Sequence, residues 1–301
     1  MNPATKALIG QFKALADPVR LRLIALCAQG ECTVSELTGV LGLSQPRISQ
    51  QLKALCDAGL VDRFRDGHFV YYRAPVRGAN SAARRRLLAL LPDDEPQFAK
   101  DAEKVRALRG SLTSASGTQV IQASASPDEN RALHRALVEL SIARPLGDLI
   151  DVGCGQGRLL KLLASRSQRA VGVDIDADAR RFARAALLLA GLPNCTLRKG
   201  DMHSLPFGDG EFDTVILDDV LDDSDHPVDA ISEARRLLRP GGRLFILVSA
   251  PDSNASTTGS KLAAWCRDAK LRLSTPRAIP AKKPRWLLAV ATLAETTTAA
   301  A

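Results

Sequence analysis

From Leu149 the chain reads Leu149-Ile150-Asp151-Val152-Gly153-Cys154-Gly155-Gln156-Gly157, an apolar run that breaks into alternating glycines before the helical stretch Arg158–Ser165. A run of that length suits a buried strand. The glycines let the chain turn sharply into a helix while its backbone lies against a ligand. The same alternation continues downstream. Strands are predicted at Ala170–Val173, Thr196–Lys199, Thr214–Leu217 and Leu244–Val248, with helices between them. A helix around Ser260–Ala269 and short strands at Leu271–Leu273 and Trp286–Thr292 complete the pattern. Strand–helix alternation at this spacing predicts a mostly parallel sheet covered on both faces.

The first third has a different rhythm. Leu8, Phe12, Leu15 and Ala16 recur at helical spacing until Asp17-Pro18 stops one helix and starts another, which carries Val19, Leu23, Ile24, Leu26 and Cys27. A third helix is predicted over Val34–Leu41 behind the cap Thr33, and a fourth from Ser44 through Ile48, Leu52 and Leu55 to Gly59. Then the period falls to two. Leu60–Arg65 and His68–Arg73 read as strands flanking the turn Asp66-Gly67. Helices followed by a basic hairpin make a winged helix-turn-helix. Residues 1–92 hold thirteen Lys and Arg against six Asp and Glu, so nearly all of the net charge of +8 sits there. That asymmetry points to a polyanionic partner for this third.

Between these parts, residues 74–125 carry several prolines and the small-residue run Ser111–Gly117, with helices expected at about 80–91 and 97–109. The expected organisation is a DNA-binding domain over 1–76, a dimerisation helix and connector over 77–127, and a ligand-binding domain over 128–296. The apolar runs are too short for a membrane span, and the N-terminus lacks the layout of a secretory signal; a cytoplasmic location is expected. Six scattered cysteines, none in a Cys-x-x-Cys pair, argue against a disulfide framework or a zinc ribbon.

The segment 43–74 resembles the ArsR family of winged-helix repressors in turn, recognition helix and wing together. The resemblance implies binding of double-stranded operator DNA by a homodimer. A helix in the major groove presents the exposed residues of its N-terminal half to base edges. Here those are Gln45, Arg47, Ser49, Gln50 and Lys53, with Lys53 better suited to phosphate; Arg63, Arg65, His68 and Arg73 lie on the hairpin, where a wing meets backbone. Many relatives sense metals through paired cysteines ahead of the recognition helix. Glu31-Cys32-Thr33-Val34-Ser35-Glu36-Leu37 has no such pair, so no metal is expected. Redox sensing by Cys27, Cys32 or Cys56 has no support in the sequence.

The glycine turn resembles the first motif of class I methyltransferases, Asp/Glu-x-Gly-x-Gly-x-Gly. Asp174 ends the next strand, 17 residues past Gly157, where a carboxylate holds ribose hydroxyls, with Ile175 beside it. Gly200-Asp201-Met202 resembles the adenine-contacting segment, and Leu205-Pro206-Phe207, Phe212-Asp213 and Leu237-Leu238-Arg239-Pro240-Gly241-Gly242 follow in the family's order. The resemblance implies S-adenosylmethionine or S-adenosylhomocysteine as ligand, held by Asp151, Gly153, Gly155, Gly157, Asp174, Ile175, Asp201, Met202 and Asp218. The expected fold class is thus α/β, an N-terminal winged helix-turn-helix plus a C-terminal Rossmann-like class I methyltransferase sheet with helices on both faces. Regulators that join the two parts share even the middle segment, here Leu91–Pro96 and Ala99–Glu103. In them the methyltransferase-like domain is associated with sensing the adenosyl ligand and controlling methionine-cycle genes.

The acceptor side departs from the family. Thr113–Ser126 replaces an aromatic segment, Asp218–Asp225 is an acidic run, and Ser249–Ser260 is abbreviated. Carboxylates at 218, 219, 222 and 223 would favour a cationic sulfonium if they faced the pocket. No amide-acceptor motif follows the fourth strand, no catalytic residue is assigned, and His203 and His226 read as loop residues. Three readings stay open: a ligand-responsive repressor, a DNA-binding protein that also methylates an unknown acceptor, and a DNA-binding protein whose second domain serves assembly only.

Overall fold

The computed structural model describes residues 1–75, 86–92, 94–115, 125–222, 224–250 and 255–293. The chain forms two units, Met1–Gly117 with Arg181–Thr196, and Thr118–Arg180 with Leu197–Ala301.

The first unit begins with α1 (Pro3–Leu15) and α2 (Pro18–Gln29). Asp17 caps α2 by accepting from Val19 N at 2.8 Å and Arg20 N at 3.0 Å, with Pro18 at the first helical position. A cap of this kind contributes about 1 kcal/mol. The short strand β1 (Cys32–Thr33) leads into α3 (Val34–Leu41), which starts in a Thr33/Glu36 capping box and ends at Gly42. After the turn, α4 (Gln45–Asp57) buries Ile48, Leu52 and Leu55 against Leu23, Ile24 and Leu37. Each such side chain contributes about 1.5–3 kcal/mol by leaving water. The wing is β2 (Asp62–Asp66) and β3 (Phe69–Arg73), in register from Asp62↔Arg73 to Asp66↔Phe69, and β1 adds a third strand through Cys32↔Tyr72. The strands start later than the sequence predicts, because Leu60 and Val61 are spent in the core beneath α4.

Of the helix expected at about 80–91, residues 86–88 are helical and 89–91 are not, while 80–85 lie outside the described residues. The connector helix α5 (Pro96–Ala115) is longer than predicted and packs on α2 and α3. Asp101, almost fully buried, takes a two-point bond from Arg22 at 2.6 and 2.8 Å, and Val105 joins the same core.

In the second unit α6 (Pro127–Ala143), capped by a Ser126/Glu129 box, precedes β4 (Asp148–Val152). There follow α7 (Arg158–Leu163) with a 3₁₀ turn over Ala164–Arg166, β5 (Arg169–Asp174), and α8 (Ala177–Leu189), whose residues from Arg181 onward belong to the first unit. Next come β6 (Cys195–Lys199), β7 (Phe212–Asp218), α9 (Pro227–Leu237) and β8 (Leu238–Ser249). The chain closes with α10 (Ala255–Asp268), β9 (Leu271–Leu273), β10 (Arg277–Ile279) and β11 (Trp286–Leu293). Strand order is β10-β11-β8-β7-β4-β5-β6, with β9 beside β11. Strands β5, β4, β7 and β8 run parallel, and β11 is antiparallel to β8. The sequence missed β10 and began β8 six residues late, because Leu238–Arg243 holds the Arg-Pro-Gly-Gly turn motif, which reads as a break. The order turns back between β4 and β7, and in open α/β sheets a crevice for ligand opens at that point.

Candidate functional site

Two surfaces collect the residues singled out by sequence. On α4, Gln45, Arg47, Ser49, Gln50 and Lys53 are all exposed, opposite the buried Ile48, Leu52 and Leu55. Lys53 Nζ lies 2.6 Å from Asp57 Oδ2, an exposed pair that water screens. On the wing Arg63, Arg65 and His68 are exposed, and Arg65 Nε donates to Gly67 O at 3.2 Å. Arg73 differs: it is half-buried, with its guanidinium 5.9 Å from the Phe64 ring centroid, so it packs along the wing instead of pointing outward.

The second surface lies at the carboxyl ends of β4, β5 and β7. Gly153 N and Cys154 N donate to Val173 O at 2.8 and 2.9 Å, which draws the glycine turn across the end of β5. Gly155 N donates to Asp174 Oδ2 at 2.7 Å, and Asp176 N donates to Asp174 Oδ1 at 2.8 Å. The carboxylate proposed for the ribose is thus fixed by the loop it serves. Gly155 has φ +51° and open space where a side chain would stand, whereas a side chain at Gly153 (φ +72°) would run into Val220. Gly157 (φ +79°) caps α7. Ile175 is exposed, and Met202 is half-buried against the core. Asp201 accepts from the backbone and ring of His203, both at 2.9 Å, and these bonds hold its carboxyl below the usual range.

Asp151 is the unusual member. It is 1% exposed, and its Oδ1 has no hydrogen-bond partner among the described residues. Burial, then the neighbouring Asp218, push its carboxyl well above the usual 3.8. Asp218 itself is bound through both oxygens by Arg158 Nη2 at 3.0 Å, and Arg158 also stands 5.5 Å from the Trp286 ring. Asp219 (φ +58°) turns away and accepts from Ser249 N and Oγ, both at 2.7 Å. The acidic run is therefore not a field of free carboxylates at 218 and 219; Asp223 lies outside the described residues. Sequence reasoning missed Arg158 and Trp286, which had no motif of their own.

Other motif residues serve the fold. Arg239 bridges Asp148 (2.9 Å) and Asp213 (2.5 Å) at the opposite ends of β4 and β7. Leu205 N donates to Glu233 at 2.7 Å, and Phe207 meets Phe212 edge-on at 5.3 Å. His203 Nε2 lies 3.0 Å from Ser224 Oγ. All cysteines but the half-buried Cys56 are buried, and burial pushes the Cys32 thiol up to about 12, which keeps it unreactive near neutral pH.

Fold and surfaces together define a winged helix-turn-helix joined to a Rossmann-like, ligand-binding type of sheet. Comparison with known proteins names both parts. The family described as "Bacterial regulatory protein, arsR family" matches residues 17–63, and that described as "Methyltransferase domain" matches residues 150–246. The chain therefore carries an ArsR-family helix-turn-helix at its N-terminal end and a methyltransferase domain toward its C-terminal end. An uncharacterized 37.1 kDa protein in transposon TN4556 of Streptomyces fradiae is 33% identical over 60% of this chain and 53% of its own. The arsenic resistance transcriptional regulator ArsR1 of Pseudomonas putida is 51% identical over 21% of this chain and 49% of its own. The ubiquinone/menaquinone biosynthesis C-methyltransferase UbiE of Ectopseudomonas mendocina is 34% identical over 39% of this chain and 48% of its own. The chain thus spans about half the length of each of these relatives.

Proposed function

We propose that the chain is a DNA-binding transcription regulator, acting as a repressor, whose methyltransferase domain senses S-adenosylmethionine or S-adenosylhomocysteine. The observation that carries this reading is Asp151 Oδ1, buried at the glycine turn with no hydrogen-bond partner among the described residues, beside an Asp218 already paired with Arg158. A buried carboxylate oxygen without a partner is costly unless a donor arrives. Asp151 Oδ1 is such an atom, and the ammonium of the ligand's amino-acid end suits it. Gly155 leaves room for the ligand against the backbone, and Asp174 is already oriented toward that loop for the ribose. Ile175 and Met202 would flank the adenine, with Asp201 at its amino group. When bound, S-adenosylmethionine would supply an electrophilic methyl, and transfer would depend on positioning an acceptor in line with it.

Asp218 and Arg158 hold each other beneath Trp286, and Asp219 is bound to Ser249, so neither carboxylate is free to act on an acceptor. Pairing with Arg158 offsets the charge of Asp218 and weakens its preference for a sulfonium cation, which supports S-adenosylhomocysteine as the signal. On the DNA side, Arg47 and Gln50 read base edges, while Lys53, Arg63, Arg65 and His68 meet phosphate. Exposed Leu8, Ile9 and Phe12 on α1 support a homodimer that reads a two-fold operator.

The experiment selects duplexes from a randomised pool with the full chain. Operator binding is then titrated with each ligand at fixed salt. S-adenosylhomocysteine should weaken binding about 5- to 150-fold, the range of ordinary allosteric coupling. Affinity unchanged by either ligand, in protein shown by calorimetry to bind them, would sink the sensor reading and promote methyl transfer.

A further inference from the structure

Arg184 lies within the first unit and is almost completely buried. Its Nε donates to Glu31 Oε2 at 2.7 Å and its Nη2 to Asp66 Oδ2 at 2.6 Å, and its guanidinium carbon sits 4.0 Å from the centroid of Tyr71. Asp66 is the last residue of β2, at the turn of the wing. Side chains alternate along a strand, so Arg63 and Arg65 face outward while Phe64 and Asp66 face inward. Phe64 stacks on Tyr71 at 5.7 Å, which places the inner face of the wing under one guanidinium. A second buried arginine reinforces it. Arg109 of α5 binds Glu36 at 2.8 and 3.0 Å and donates to the Arg184 carbonyl at 3.4 Å. Leu188, one turn further along α8, belongs to the core formed by Leu23, Leu37 and Leu55.

The helix that carries Arg184 starts three residues after Asp174. Its first turn is tied there: Arg180 N donates to Asp176 O at 3.2 Å and Arg180 Nη1 to Asp174 O at 2.8 Å. Arg180 and Arg184 are one helical turn apart, about 6 Å along the axis. Asp174 and Arg184 thus lie ten residues apart on one continuous stretch of chain, most of it α8.

We infer that Arg184 is a positioning residue that sets the wing for DNA contact, and that the adenosyl ligand acts on DNA affinity through it. The second clause rests on the sensor reading above. Arg184 presents separate donors to two acids and a flat face to Tyr71, a combination lysine does not reproduce. Releasing Asp66 frees the turn and, with it, the aim of Arg63 and Arg65.

The test uses the full chain with Arg184→Met, Arg184→Lys and Asp66→Asn, read by operator affinity across a salt series, with and without S-adenosylhomocysteine, beside calorimetry of that ligand. Arg184→Met should bind the ligand as the parent does. Its plot of log affinity against log salt should flatten by roughly 1.8, about 0.9 for each of Arg63 and Arg65. The ratio of affinities without and with ligand should fall to near one. Asp66→Asn, which removes the wing's charge from the pair while leaving an acceptor oxygen, should move both readouts in the same direction if Arg184→Met does not fold. Arg184→Lys should recover part of the salt slope. Variants that lose melting temperature but keep the parental salt slope and ligand ratio would show a merely structural arginine and overturn the inference. A parent protein indifferent to the ligand removes the sensor reading instead, and the wing assignment is then judged by the salt slope alone.

Discussion

Gly153 and Gly155 stand two residues apart in the same loop, both with left-handed φ, yet replacing each by alanine should do different damage. Either change places an L-residue at positive φ, at a cost of about 1–2 kcal/mol. At Gly153 the new methyl would also run into Val220 Cγ1, whereas at Gly155 no described atom lies within 4 Å. Val220 is half-buried against the core and cannot simply swing away, so overpacking adds about 1–3 kcal/mol. Gly153→Ala should therefore cost roughly 2–5 kcal/mol in stability, and Gly155→Ala only about 1–2. The order reverses for ligand. The methyl of Gly155→Ala enters the open space assigned to the adenosyl group, so that variant should fold and fail to bind. Urea unfolding followed by tryptophan fluorescence isolates the relevant unit, because Trp265 and Trp286 are the only tryptophans and both lie in it. Combining Gly153→Ala with Val220→Ala should return the overpacking part, seen as a coupling of about 1–3 kcal/mol in the double-mutant cycle. Equal losses for the two alanine variants, or a cycle that closes to zero, would refute the Val220 contact. Unimpaired calorimetric binding by Gly155→Ala would refute the placement of the ligand.

Arg47→Ala should relax base preference at one position of each half-site, whereas Arg65→Ala should weaken every duplex alike and flatten the salt dependence by roughly 0.9; equal loss on all sequences from Arg47→Ala would remove it from base reading. Asp151→Asn should stabilise the unliganded protein at neutral pH. Burial raises the carboxyl's folded pKa, so its favourable contribution is complete below the ordinary 3.8 and is lost as pH rises through the folded value. The same variant should bind S-adenosylhomocysteine about 10- to 150-fold more weakly, for want of a charge-assisted bond. Loss of stability without loss of affinity would show that Asp151 has a structural partner.

The elements that sequence located best are those whose signals are local. Asp17-Pro18 and Thr33 start helices because cap and donor lie within one turn, and both caps form. Ile48, Leu52 and Leu55 recur at helical spacing and all are buried, which leaves Arg47 and Gln50 outward by geometry. The glycine turn was legible for the same reason: positive φ at 153, 155 and 157 is a demand that the residues themselves must meet. Boundaries drifted at β8, whose ladder with β7 begins at Leu238, passes over Arg239–Gly242 in an irregularity and resumes at Arg243, so the strand starts ahead of the turn motif that reads locally as a break.

What stayed hidden is held by partners far apart in the chain. Arg184 and Glu31 are separated by 153 residues, and Arg184 and Asp66 by 118. Nothing near Arg184 in the sequence distinguishes it from Arg180 or Arg181 on the same helix. The acidic run shows the reverse error. Read locally, Asp218 and Asp219 are like charges crowded beside a pocket; in three dimensions Arg158 neutralises one and the Ser249 backbone and hydroxyl absorb the other. A carboxylate's role is fixed by which donors reach it, and donors come from whichever strand ends the topology brings together. The order β11-β8-β7-β4 brings Trp286, Ser249, Asp218 and the glycine turn to one edge. The acceptor side of the domain is therefore decided by sheet topology, and the sequence carries that only through the whole set of strands.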